Sequence, residues 1–226
     1  MKSPAEKIIV ALDVPSAEEA LSLINALSGA VGYFKIGLQS YTANGPALIR
    51  PAGNAFLDLK LHDIPNTVAK AVEAAGALGV KMLTLHLSGG AEMVRAAVGT
   101  RKKGMLLLGV TVLTSSTDAT LREIGVTEKI TDQVLRLAHL GVANGIDGVV
   151  ASPHEARRLR EEFGDKLKII TPGIRPAGSD ANDQKRFTTP RQAIDEGADY
   201  LVIGRPITAA ADPLEAVNRI VEELNS

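Results

Sequence analysis

The chain has 226 residues, 45% of them hydrophobic and 23% charged, enough to bury one sizeable core and within the length that α/β barrels occupy as one domain. Lysine and arginine number 25 against 26 aspartate and glutamate, a formal net charge of −1, so no basic field exists to hold a polyanion. With three tyrosines, four phenylalanines and no tryptophan, base-stacking platforms are also scarce, and nucleic acid is not expected as a partner.

The N-terminal Met1-Lys2-Ser3-Pro4 runs into charged residues and then a short apolar strand, without a signal-peptide core, and no apolar span approaches twenty residues. Cysteine is absent, which removes disulfides, thiolate nucleophiles and Cys-based zinc sites together. The expectation is a soluble protein of the reducing cytoplasm with no membrane partner.

Apolar runs of strand length recur at Ile8 to Leu12, Tyr33 to Ile36, Ala55 to Leu59, Met82 to Leu85, Met105 to Val110, Gly148 to Ala151, Leu167 to Ile170 and Tyr200 to Ile203. They are continuous rather than alternating, which predicts strands covered on both faces, as in parallel sheets. Helical patterns lie between them. Ala17, Ala20, Leu21, Ile24 and Leu27 share one apolar face, with Ser16 and Glu19 spaced as a capping box at its start. Ser152-Pro153-His154-Glu155, Thr189-Pro190-Arg191-Gln192 and Asp212-Pro213-Leu214-Glu215 repeat the start signal with proline at the first helical position. Gly79, Gly145 and Gly197 each suit a left-handed cap ahead of the next strand. Strand followed by helix eight times over predicts one (β/α)8 TIM barrel spanning residues 1–226, a single α/β domain. A doubly wound open sheet would satisfy the same alternation, but Asp13-Val14-Pro15-Ser16 stands after the first strand where its Gly-x-Gly-x-x-Gly fingerprint belongs.

The run Asp58-Leu59-Lys60-Leu61-His62-Asp63-Ile64-Pro65-Asn66-Thr67 puts charges of alternating sign at the end of the third apolar strand. Residues two apart on a strand share a face, so Asp58 and Lys60 are expected on one side, with Asp63 beyond, where the chain turns into a helix. At a barrel mouth this sets a carboxylate and an ammonium together in a partly dry cleft, able to receive developing charge. On a solvated strand end the same pair would be an ordinary ion pair, with Asp63 the acceptor that opens the helix.

Barrel sites gather at the C-terminal mouth. The strand ends there supply, in order, Asp13, Lys35, Asp58 with Lys60, His86, Thr114, Ser152, Pro172-Gly173 and Gly204-Arg205. Gly204-Arg205 after the last strand, with the long segment Pro172 to Thr188 after the seventh, falls where barrels commonly seat a phosphate. Such a long segment suits a lid or binding loop, and Gln184 within it can both donate to and accept from an amide-bearing ligand. His86 reads as a buried, satisfied histidine, and His139 and His154 as solvated helix positions. His62 could join Asp58 and Asp63 as metal ligands, but Lys60 among them repels a dication, so no metal is expected.

These residues resemble the orotidine 5'-phosphate decarboxylase family in its shorter bacterial form, along essentially the whole chain. The likeness runs through Ile9-Val10-Ala11-Leu12-Asp13, Phe34-Lys35-Ile36-Gly37, the ten-residue run above, His86-Leu87-Ser88-Gly89-Gly90, Val112-Leu113-Thr114-Ser115, Pro172-Gly173-Ile174-Arg175-Pro176, Asp183-Gln184-Lys185-Arg186 and Ile203-Gly204-Arg205-Pro206-Ile207. The resemblance implies cofactor-free decarboxylation of orotidine 5'-monophosphate to UMP and CO2, the last step of pyrimidine nucleotide synthesis. It also implies a charged network of Lys35, Asp58, Lys60 and Asp63, with Lys60 the proton donor. Asp63 and Thr67 would reach the site of a second subunit in a homodimer. Asp13 and Lys35 would hold ribose hydroxyls and Thr114 the pyrimidine, while Gln184, Gly204 and Arg205 would hold the phosphate, with Gln184 bridging toward the ring and Pro172 a further substrate-binding residue. Leu87, where many relatives carry alanine, and Ala151, where many carry cysteine, depart from the pattern without removing a polar group. Magnesium-dependent decarboxylases of sugar phosphates share the Asp-x-Lys-x-x-Asp element, but carry a glutamate ligand where Lys35 stands here. A non-catalytic sensor of phosphate ligands on a barrel scaffold is a further alternative, although it would need no buried general acid.

Overall fold

Apolar runs with both faces covered need helices outside and a filled interior inside, and the chain provides both. The computed structural model describes residues 2–176 and 188–226. Its strands are β1 (Ile8–Ala11), β2 (Tyr33–Gly37), β3 (Ala55–Leu61), β4 (Met82–His86), β5 (Leu106–Val110), β6 (Gly148–Val150), β7 (Lys168–Pro172) and β8 (Tyr200–Ile203). They pair in chain order into a closed barrel. Parallel pairing of β1 with β8, Ile9 opposite Val202, closes the ring and rules out the open sheet. Expected strand ends hold within two residues. The largest gains are at the C-terminal ends of β3 and β7, where Leu61 and Pro172 still join the ladder.

Outside the ring lie helices α1 (Ala17–Leu27), α2 (Leu38–Asn44), α3 (Pro65–Ala77), α4 (Gly90–Thr100), α5 (Ile130–Ala143), α6 (Pro153–Phe163), α7 (Pro190–Asp195) and α8 (Pro213–Asn225), with shorter turns such as Asp118–Glu123 and Arg205–Thr208. The start signals work unequally. Thr189 and Gln192 form the full reciprocal capping box, whereas Ser16 and Asp212 each accept only the N–H three residues on. Ser152 does not cap the backbone at all. Its hydroxyl donates to the buried Glu155 carboxylate, so the side-chain acceptor takes the group meant for the helix end. Gly79, Gly145 and Gly197 have φ of 86°, 86° and 104°, the left-handed region that an L side chain resists. Among the described residues no helix is long and apolar enough to cross a membrane.

Two apolar layers result. Ile9, Phe56, Met82, Leu108, Ile170 and Val202 fill the barrel interior, and a larger layer seals the outer sheet face against the helices. At the N-terminal base, Tyr33 and Tyr200 meet edge to face at 5.6 Å. The Lys2 ammonium lies 4.3 Å from the Tyr200 ring centroid and donates to its hydroxyl, a cation–π contact that covers the base.

The glycine caps before β6 and β8 lead to a device that their sequence did not announce. Two residues after Gly145, Asp147 accepts the Leu107 N–H at 2.8 Å and pairs with Arg101. Two residues after Gly197, Asp199 accepts the Ile169 N–H at 2.9 Å and pairs with Arg160 at 2.6 Å and Lys168 at 3.0 Å. In both, a carboxylate satisfies the first free N–H of the preceding strand and joins neighbouring βα units. Replacing Asp199→Ala should lower unfolding free energy in urea by about 2–3 kcal/mol, as expected for losing charge-assisted bonds and stranding an N–H. Asp195→Ala, which breaks only an exposed pair with Arg191 on the same helix, should cost no more than about 0.5 kcal/mol.

Candidate active site

At the C-terminal mouth the side chains of β1, β2 and β3 converge. Lys35 lies 3.0 Å from Asp13 and 3.6 Å from Asp58, and Lys60 lies 3.0 Å from Asp58. The four form a chain of alternating sign, Asp13–Lys35–Asp58–Lys60, and line a cavity of about 400 Å³, the size that suits a small-molecule ligand. Gly37 makes the crowding possible, because a Cβ there would stand 2.5 Å from an Asp13 carboxylate oxygen and 3.0 Å from the Lys35 ammonium.

Asp58 and Lys60 meet, but not by simple strand alternation. Leu57 pairs with Leu83 and Leu61 with Leu85, so β3 uses four steps where β4 uses two, and the surplus forms a bulge. Within it Lys60 has φ 52°, alone among the described non-glycine residues in having positive φ. The left-handed region costs an L residue roughly 1–2 kcal/mol, and such strain concentrates at functional sites. The surroundings hold it in place: the Lys60 N–H donates to the Thr84 hydroxyl at 2.9 Å, which in turn donates to Asp58 at 2.9 Å.

The electrostatics follow from this geometry. Burial alone would raise the Asp58 carboxyl, but the ammonium groups of Lys35 and Lys60, with hydrogen bonds from Lys60 and Thr84, outweigh it and hold the group below its ordinary range. Asp58 is therefore an anion at neutral pH.

Thr114, Pro172, Gly204 and Arg205, at or beyond the ends of β5, β7 and β8, also line the cavity. Arg205 thus faces the same space as Lys60. Gln184 lies outside the described residues. The described ends of its segment are tied, since the Arg175 N–H donates to the Thr188 carbonyl at 3.0 Å. Asp63 and Thr67 are exposed and are not among the cavity-lining residues of their own chain. The Asp63 carboxylate accepts the adjacent Ile64 N–H at 2.6 Å, while the start of α3 has no side-chain cap. His139 pairs with Glu162 across α5 and α6 at 2.9 Å. Among the described residues no three His, Asp or Glu side chains gather to hold a metal ion.

The profile of the family described as "Orotidine 5'-phosphate decarboxylase / HUMPS family" matches residues 6–220. The chain belongs to this family. It is 48% identical to an orotidine 5'-phosphate decarboxylase of Moorella thermoacetica, over 97% of this chain and 92% of the relative. It is 49% identical to the enzyme of that name from Shewanella sediminis, over 96% and 97%. The crystal structure of orotidine 5'-phosphate decarboxylase from Lactobacillus acidophilus superposes with a TM-score of 0.84 at 36% identity, covering 97% of this chain and 99% of that one.

Several residues around this family member's cavity carry no motif of their own. Phe56, Val110, Val150 and Val202 form apolar cavity wall, and Thr84 lies beneath Asp58. Strand parity was the available signal, since Phe56 precedes Asp58, and Thr84 precedes His86, by two. His86 is half-buried, its ring centroid 5.5 Å from that of His62. Burial, then His62 and Lys60, lower its pKa, with Asp58 opposing. A depressed imidazole binds its proton more readily in the unfolded chain. It therefore contributes stability that is complete above its ordinary value of 6.5 and lost as pH falls through the lower folded value. In urea titrations the His86→Asn variant should show a shallower loss of stability below pH 6.5 than the parent; equal slopes would assign the acid sensitivity elsewhere.

Proposed function

We propose that this chain decarboxylates orotidine 5'-monophosphate to UMP and CO2 without a cofactor, with Lys60 delivering the proton to C6. The observation that carries this is the Lys60 ammonium, which shares one cavity with Arg205 and is fixed against the ionised Asp58 at 3.0 Å. Loss of CO2 from C6 leaves an sp2 carbanion whose electron pair lies in the ring plane and cannot spread into the π system. Charge placed in that plane must stabilise it, and Lys60 both supplies the charge and ends the reaction by transferring a proton. Asp58, held anionic beside the departing carboxylate, disfavours the bound ground state relative to the neutral product.

The magnitudes require more than one contact. Opposite charges at 4 Å gain roughly 1 kcal/mol in water and about 4 kcal/mol at an effective dielectric of 20, whereas enzymes supply about 8–23 kcal/mol. Remote binding must contribute, and Arg205, Gly204 and Gln184 are our assignment for the phosphate. Asp13 and Lys35 take the ribose hydroxyls, and Thr114 and Pro172 lie against the pyrimidine. The alternative of a magnesium-dependent sugar-phosphate decarboxylase is disfavoured by Lys35, whose ammonium, paired with Asp13 and Asp58, stands where those enzymes carry a glutamate ligand.

Exposed Asp63, Ile64 and Thr67 beside this mouth support the reading that a second copy docks here. Asp63 would extend the charged network and Thr67 would reach the partner's substrate. Compartment follows from the pathway, and we assign the cytoplasm.

Purified protein given orotidine 5'-monophosphate in excess EDTA should release CO2 and form UMP. Lys60→Ala should abolish turnover while UMP still binds, and Arg205→Ala should lower kcat/KM by about 100-fold or more, as for loss of a charge-assisted phosphate contact. Near-normal turnover in Lys60→Ala would remove the mechanism. For the shared site, mixing inactive Lys60→Ala with inactive Asp63→Ala should restore part of the activity, because a hybrid dimer would hold one site with both native residues. No recovery after demonstrated subunit exchange would place Asp63 in its own chain's chemistry.

A further inference from the structure

We propose that Thr84 is a positioning residue for this reaction: its hydroxyl holds Lys60 in left-handed backbone and fixes the carboxylate that Lys60 faces. The inference rests on the reading of Lys60 as the proton donor. Thr84 sits on β4 with 0% exposure, in register with the interior-facing Met82 and His86 on either side of it. Its hydroxyl is used in both directions. It accepts the Lys60 N–H at 2.9 Å and donates to Asp58 at 2.9 Å, which uses its one donor and one of its two acceptor positions.

The bulge explains why a side chain is needed. Between Leu57 and Leu61 the β3–β4 ladder loses register, so the Lys60 N–H has no facing strand carbonyl, and a buried N–H must find another acceptor. Thr84 supplies that acceptor from the opposite strand. The same oxygen's proton sets the rotation of Asp58, whose two carboxylate oxygens lie 3.0 Å from the Lys60 ammonium. One hydroxyl therefore ties the backbone of the proposed acid to the carboxylate that aims it. Thr84 is not among the cavity-lining residues, so its effect on the reaction must pass through Lys60 and Asp58. Chemistry should suffer and ligand binding should not.

The decisive comparison is Thr84→Ser against Thr84→Ala, since both lose the methyl group and only serine keeps the hydroxyl. Thr84→Val adds an isosteric variant without it. Thr84→Ser should retain most of the parent kcat, and Thr84→Ala and Thr84→Val should lose about 10- to 100-fold, as for hydrogen bonds to a charged group, with KM and UMP affinity little changed. Equal kcat in Thr84→Ser and Thr84→Ala, parental kcat in Thr84→Val, or a loss confined to KM would each overturn the assignment. If Thr84→Val does not fold, the serine–alanine pair decides. Lys60→Ala assayed alongside separates the two readings: an inactive Lys60→Ala with unimpaired Thr84→Ala removes only the role of Thr84, whereas an active Lys60→Ala removes the acid itself.

Discussion

Asp58 stays ionised in a mostly buried position because two ammonium groups flank it. Removing a carboxylate from water costs several kcal/mol, and Lys35 and Lys60, 3.6 and 3.0 Å away, offset that cost together with the Thr84 hydroxyl. The contact is mutual, since Lys35, only 8% exposed, has its ammonium paired by both Asp13 and Asp58. Much of the mouth's unusual backbone follows from this arrangement. Gly37 is bare so that Asp13 and Lys35 can approach, and β3 bulges so that Lys60 can turn onto Asp58.

The two ends of the barrel divide their tasks. At the base, Asp147 and Asp199 satisfy strand N–H groups and lock adjacent units, and aromatic rings close the interior under Lys2. These contacts are well paired and join neighbouring βα units. At the mouth the same kind of carboxylate–cation contact is arranged around open space, with left-handed backbone at its centre. Thr84 beneath the bulge holds that strained backbone, taking the Lys60 N–H that the shifted ladder leaves over.

Much of the cavity's polar lining could be read from Asp58 and Lys60 and from the polar residues after successive strands. Asp13, Lys35, Asp58, Lys60, Thr114, Pro172, Gly204 and Arg205 all line one cavity. Less legible were contacts made by residue types with several ordinary uses. Thr84 looks like any strand threonine until the β3 bulge brings an unpaired N–H to it. Ser152 carries a cap signature, yet its hydroxyl turns to Glu155. Asp147 and Asp199 stand beside helix-ending glycines, where nothing in the local pattern names the strand N–H that each accepts.

The sequence by itself determined the alternation of strand and helix, the glycine-capped turns, the family and the set of charged groups at the strand ends. Local periodicity, capping chemistry and a specific motif are properties of neighbouring residues, and they survive without knowledge of the fold. Only the tertiary structure decided that the ring closes between β1 and β8, that β3 bulges, and that Lys60 is turned through positive φ onto Asp58 with Thr84 beneath both. Those outcomes depend on register between strands far apart in sequence and on burial shared by several elements, so no segment encodes them alone.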